Sequence, residues 1–195
     1  MLRRVKISPF VMALLISAAT TAPVFGAECL NATFPESAKS GDAALQLNGL
    51  GIRKATVFAV KVYVAGLYVP QKSNDAGKIL GANGPWQLVL RFVRDVDASD
   101  IRDAFSEGFE NAAGDKLATL RPRIDDLNAR VVDFKKGQYL AFANDPAKGL
   151  TVDVNGAAAN PIQGADFSAA LLSIWIGRKP PNEDLKSGLL GGQCE

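Results

Sequence analysis

An arginine and a tyrosine carry the most specific chemical possibility in this chain. Arg53, Lys61 and Tyr63 share parity in the β-rich stretch after Gly51, so in extended backbone without a bulge their side chains point to one face. A guanidinium beside a phenol can stabilise a developing oxyanion or hold a carboxylate through paired hydrogen bonds. The stem of Lys61 is long enough to carry its charge to solvent, and it reads as a solvated cation. The sequence contains no histidine. That excludes Ser-His-Asp and Cys-His catalysis, imidazole metal ligation and imidazole proton transfer, leaving carboxylates, Tyr, Lys and Arg for any chemistry. Carboxylate pairs occur at Asp125-Asp126 and at Asp95 with Asp97. Sequence neighbours on a helix point to different faces and Asp97 fits a helix cap, so neither pair reads as acid–base machinery. Trp175 and Phe167 read as core, with one of them a candidate for lining a cleft.

The compartment is the next constraint. Arg3, Arg4 and Lys6 precede an apolar run from Pro9 to about Ala19, the order of a secretory signal, and the run is too short to span a bilayer. Val24 and Gly26 satisfy the small-residue rule for cleavage, which predicts a signal peptide over 1–26 and a mature domain over 27–195. Glu28 before Cys29 speaks against a lipid anchor, and no later stretch reads as transmembrane. Without the three leader cations, 19 of the 22 Lys and Arg remain against 20 Asp and Glu, a net charge near −1. Such a balance lacks the clustered basic excess of a nucleic-acid surface. The expected location is periplasmic or secreted. Cys29 and Cys194 stand at opposite ends of the mature chain, and in an oxidising compartment they are expected to pair. Closing so long a loop contributes about 4–5 kcal/mol on the chain-entropy model. No metal or cofactor is expected, since two cysteines at that separation do not make a metal site. Asn31-Ala32-Thr33 is a formal glycosylation sequon, relevant only in a eukaryotic source.

The elements that must position Arg53 and Tyr63 follow from pattern. A short strand over Asp42–Leu47 runs into a turn signal at Asn48-Gly49-Leu50-Gly51, followed by a long β-rich run from Thr56 to Val69 that stops at Pro70. Gly66 inside that run signals a bulge or a close contact. A short helix near Asp75–Leu80 precedes a strand over Trp86–Val93. Asp97 caps a helix whose buried face carries Ala98, Ile101, Phe105, Gly108 and Phe109; Gly114 breaks it. A second helix is predicted over Leu120–Val131, which keeps Pro122 in its first turn. Gln138–Phe142, Leu150–Val154 and the turns around Asp145-Pro146 and Asn155-Gly156 form a meander. Ala165–Ile176 is a helix, separated by Pro180-Pro181 from a last one near Asn182–Leu189. Strands and helices are grouped rather than alternating, which predicts an α+β fold with an antiparallel sheet.

Three stretches carry a resemblance. Leu47-Asn48-Gly49-Leu50-Gly51-Ile52-Arg53-Lys54 with Lys61-Val62-Tyr63-Val64-Ala65-Gly66-Leu67-Tyr68, then Phe92-Val93-Arg94-Asp95-Val96, then Leu171-Leu172-Ser173-Ile174-Trp175-Ile176-Gly177, resemble the bacterial exported branch of the chalcone-isomerase-fold family. The resemblance implies a large antiparallel β-sheet with helices packed on one face, an open-faced sandwich, and a ligand cleft between sheet and helices. The family includes plant enzymes that close a chalcone ring and non-catalytic relatives that bind fatty acids. Arg53 matches the arginine of the family's Gly-x-Arg element. Tyr63 stands where the enzymes carry a threonine and where the fatty-acid-binding branch carries a tyrosine. The enzymes' helical tyrosine and asparagine fall near Ala98 and near Ala104 or Phe105, and a late threonine is replaced by Ile174.

The pattern therefore keeps an anion-holding pair and loses the groups that activate a polyphenol. It points to non-catalytic binding of a small amphipathic, fatty-acid-like carboxylate, with Arg53 and Tyr63 as ligand-binding residues and no catalytic residue. Two alternatives stay open: an intramolecular lyase acting on a phenolic enone, with Arg53 as electrophile and Tyr63 as proton donor, and a structural or partner-binding envelope domain whose cleft is filled by its own side chains.

Overall fold

The computed structural model describes residues 26–56 and 58–195. Of the leader expected over 1–26, all but Gly26 lies outside the described residues. The described residues begin with an antiparallel hairpin, β1 Gly26–Cys29 and β2 Ala32–Pro35. A seven-stranded antiparallel sheet follows, its strands neighbouring one another in sequence order: β3 Ser37–Ser40, β4 Ala43–Ala55, β5 Val60–Val69, β6 Trp86–Phe92, β7 Tyr139–Asp145, β8 Gly149–Val154 and β9 Ala157–Ala158. Between strands or after them come α1 Ala76–Gly81, α2 Ala98–Ala113, α3 Leu117–Ala129, α4 Ala165–Ile176 and α5 Glu183–Leu189. The α+β class and the helix-covered antiparallel sheet are as the sequence predicts. Among the described residues no helix is long and apolar enough to cross a membrane.

A period of two sorts the strand side chains onto two faces. Leu67, Leu88, Leu90 and Phe142 meet Phe105, Phe109, Ile124 and Trp175 from the helices, forming the larger core. On the other face Leu45, Leu47, Leu50, Ile52, Val64 and Tyr68 pack around Phe34 of the β1–β2 hairpin. This second, smaller core was not foreseen, because strands β1 to β3 are too short and polar to announce themselves. Gly66 makes it possible: a Cβ there would lie 2.6 Å from Phe34 Cδ1. Burying one phenylalanine contributes about 1.5–3 kcal/mol. The expected bond between Cys29 and Cys194 is present and ties the hairpin to the tail beyond α5.

Four local expectations are corrected. Asn48-Gly49-Leu50-Gly51 is not a turn but the middle of β4, with a register shift between Leu47 and Gly49. Its glycines serve close approach: a Cβ on Gly49 would collide with the Gly188 carbonyl oxygen, and one on Gly51 with that of Leu185. Asn48 Nδ2 donates to the carbonyls of Ser73 (3.0 Å) and Leu189 (2.7 Å), and its Oδ1 accepts from Ser73 N–H (2.7 Å). The run from Thr56 to Val69 is not one strand. The chain reverses near Thr56 and Ala59, both at positive φ (63 and 51), and β5 starts at Val60. Helix α3 starts at Leu117, so Pro122 lies in its second turn; the carbonyl it leaves unpaired is on exposed Ala118, where water can bond it. Asp97 holds the N-cap position of α2 without a side-chain bond; Asp133 Oδ1 accepts from Ala98 N–H instead, at 2.8 Å.

Two outcomes test this arrangement. Gly51→Ala forces strand and helix backbones apart and lowers stability by about 1–3 kcal/mol in urea unfolding. Arg123 grips Asp166 through two bonds of 2.6 and 2.8 Å, joining α3 to α4. That bond holds the Asp166 carboxyl down at about 2. A depressed carboxylate stabilises the fold above its unfolded value, near pH 4, and loses the contribution as pH falls towards 2. Asp166→Asn therefore costs under about 1 kcal/mol at pH 7, since the pair is partly exposed and screened, and the difference from the native chain closes between pH 4 and 2.

Candidate ligand-binding site

The antiparallel pairing of β4 with β5 sets Arg53 directly opposite Tyr63, and β5 with β6 sets Tyr63 opposite Phe92. These three side chains share the helix-covered face at the end of the sheet where α2 and α4 stand off it. The gap is a cleft of about 530 Å³ with Arg53, Tyr63, Leu90, Phe92, Phe105 and Ile174 among its walls, within the usual range for small-molecule sites of about 300–1,000 Å³. Its apolar floor comes from β5 and β6; α2 contributes small Ala104 and Gly108 to its wall, which leaves room for a ligand.

Arg53 is held from one side only. Its Nη1 donates to Asn182 Oδ1 at 3.0 Å, to the Pro181 carbonyl at 3.5 Å and to the carbonyl of Lys54. Asn182 Oδ1 also accepts from Lys54 N–H at 3.0 Å, so one amide oxygen fixes both side chain and backbone of the β4 end. No described carboxylate pairs with Arg53; nearby Asp184 is engaged by Lys54 Nζ at 3.1 Å. Nε and Nη2 carry no bond to any described residue, which leaves the edge of the guanidinium that suits a bidentate anion.

Tyr63 Oη accepts a hydrogen bond from Trp175 Nε1 at 2.9 Å, and its ring meets Phe92 edge-on at 5.9 Å. Burial pushes the phenol above its ordinary pKa, while the Trp175 bond and then the Arg53 charge pull it partly back. The phenol stays protonated through the physiological range. Among the described residues its own proton has no acceptor, so it is available to a group in the cleft.

The shared face of Arg53 and Tyr63 thus arises across two strands rather than along one. The shift in register between Arg53 and Lys54 puts Val62 as well as Tyr63 into the cleft wall, while Lys61 pairs with Lys54 and stays exposed. Phe167 is core, stacked on Phe109 at 5.5 Å. Trp175 takes the other role, at the cleft. Asp95 lies at the cleft rim, its carboxyl lowered by the Lys136 N–H first and the Lys135 ammonium second. Asp126 is bound by Arg130 at 2.7 Å. Asn182 escaped the sequence reading, which only placed it at the start of a helix behind Pro180-Pro181; it makes no side-chain cap bond and serves Arg53 instead.

The comparison with known families decides the lineage: over residues 26–191 the chain matches the family model described as chalcone isomerase-like. The chain belongs to the chalcone isomerase-like family. Among solved structures, the fatty-acid binding protein of Arabidopsis thaliana is similar, with a TM-score of 0.62 over 83% of this chain and 92% of that one, at 18% identity. At that identity the likeness establishes the fold. No curated protein sequence matches the chain. In this chalcone isomerase-like protein Ala104, Phe105 and Ile174 line the cleft, whereas Ala98 is buried beneath the start of α2.

The anchoring of Arg53 by Asn182 is open to a double-mutant cycle. Asn182→Ala and Arg53→Ala each destabilise the fold, and the double variant loses less than the sum, by a coupling of about 0.5–1.5 kcal/mol in denaturant unfolding. Strict additivity of the two losses shows that the contact does not hold the arginine.

Proposed function

We propose that this protein is a non-catalytic binder of a small amphipathic carboxylic acid, fatty-acid-like in build, working in the periplasm or as a secreted protein. The observation that carries the reading is a pair of unspent donors at one end of a cleft with an apolar floor, the open edge of Arg53 and the proton of Tyr63. A carboxylate meets both with charge-assisted bonds, and an acyl tail lies along Leu90, Phe92 and Phe105. The positions that match the enzymes' activating groups carry Ala, Phe and Ile, which removes the means of deprotonating and orienting a polyphenol. An open cleft of about 530 Å³ beside Arg53 counts against a domain filled by its own side chains. Export is part of the proposal: it rests on the basic-then-apolar leader pattern and on a Cys29–Cys194 bond of the kind that persists in oxidising compartments.

The test is extraction of the natively purified protein followed by mass spectrometry, with Arg53→Ala/Tyr63→Phe as the comparison. The expected result is a long-chain acid at near-stoichiometric amount in the native protein and depleted in the variant. Cyclisation of a chalcone that disappears in Arg53→Ala replaces this reading with the lyase. An empty protein whose melting temperature ignores fatty acids and phenolics alike replaces it with a structural domain.

A further inference from the structure

Trp175 is 1% exposed and packed edge-on against Phe105 and tilted against Phe142. Its indole N–H is nonetheless aimed at the site, donating to Tyr63 Oη at 2.9 Å across the sheet–helix interface. A phenol offers one proton and an oxygen that accepts. Trp175 occupies the accepting side and so leaves the proton to the cleft, where Arg53 presents further donors; the carboxylates that also line the cleft, Asp95, Asp100 and Glu107, make no bond to either residue. We propose that Trp175 is a positioning and specificity-determining residue: by claiming the oxygen of Tyr63 it makes Arg53 and Tyr63 a donor-only pair, which selects acid anions over the alcohol or amide of the same chain. The inference rests on the carrier reading and extends it to head-group selection.

The physical reason is the mismatch that a donor-only pair imposes. A carboxylate accepts from both partners and brings no proton. An alcohol or primary amide brings donors of its own, and with Trp175 on the phenol oxygen these have no acceptor within the pair, so a polar group is left unpaired on binding. Burial supports the arrangement by keeping the phenol neutral and its proton in place.

Calorimetric titration of the natively purified full chain with decanoate, decan-1-ol and decanamide tests this. The comparison protein has Trp175 replaced by benzothienylalanine, which keeps the ring volume and lacks the N–H. The native protein is expected to prefer decanoate by tenfold or more. The replacement weakens decanoate by about 3- to 10-fold and compresses the preference; in a Tyr63→Phe background the same replacement has no further effect. The Trp175 indole N–H resonance also shifts in Tyr63→Phe, a signal that a purely packing role does not produce. Unchanged decanoate affinity and selectivity in the replaced protein, or an equal loss in the Tyr63→Phe background, overturns the role of Trp175 and leaves the carrier reading standing. Failure of the native protein to bind any of the three overturns the carrier reading and this inference with it.

Discussion

The register between β4 and β5 governs almost everything else. In an antiparallel pair a slip of one residue moves every side chain of the slipped strand to the opposite face, and here the faces are unlike: one meets the apolar side chains of the helices, the other a single hairpin. Asn48 and the glycines at 49 and 51 hold the register from the α5 side. The shift beyond Arg53 holds it at the far end. In this register Gly49 and Gly51 face α5, Leu50 and Ile52 face Phe34, and Arg53 comes to rest opposite Tyr63. With β4 slipped by one residue on β5, Arg53 lies on the hairpin face and no longer stands beside Tyr63.

The donors at the cleft are held in place by the fold. An arginine braced on Asn182 and two backbone carbonyls keeps its charge but has lost little of its capacity to bind, because its bonds all leave from Nη1. The phenol beside it is kept neutral by burial. Donors fixed before the ligand arrives cost little to reorganise, and that preorganisation serves affinity. Beyond these donors the cleft wall carries the carboxylates of Asp95, Asp100 and Glu107, with Asp95 bridged to Lys135, and apolar side chains at Ala104, Phe105 and Ile174.

The small face of the sheet supports the site at a distance. Phe34 seals it over Gly66, and the Cys29–Cys194 bond carries the hairpin round to the tail of α5. Helix α5 is therefore fastened at both ends, by that tail and by the contact of Asn182 with Arg53 and Lys54. The same helix lies on β4 through backbone contacts that tolerate no side chain at Gly49 or Gly51. Arginine, strand and helix are thus tied to one another, which fixes the direction of the Arg53 donors.

Much of this was legible in the residues themselves. Periodicity located α2 and α4 and the β7–β8 meander, because a buried stripe has to recur at the period of its own backbone. The absence of histidine restricted the chemistry without any coordinates, since it depends on composition alone. The resemblance singled out Arg53 and Tyr63, but parity placed them side by side for the wrong reason: they face each other across two strands, and only pairing between distant segments decides that. The same holds for the glycines read as a turn. Gly49 and Gly51 are conformationally free in any sequence, and whether that freedom makes a bend or admits a helix depends on what packs there. Asn182 and Trp175 lie more than a hundred residues from the pair they serve. Local pattern records what a residue prefers and tertiary contact decides what it touches, so the fold class belonged to the sequence and the polarity of the cleft to the folded chain.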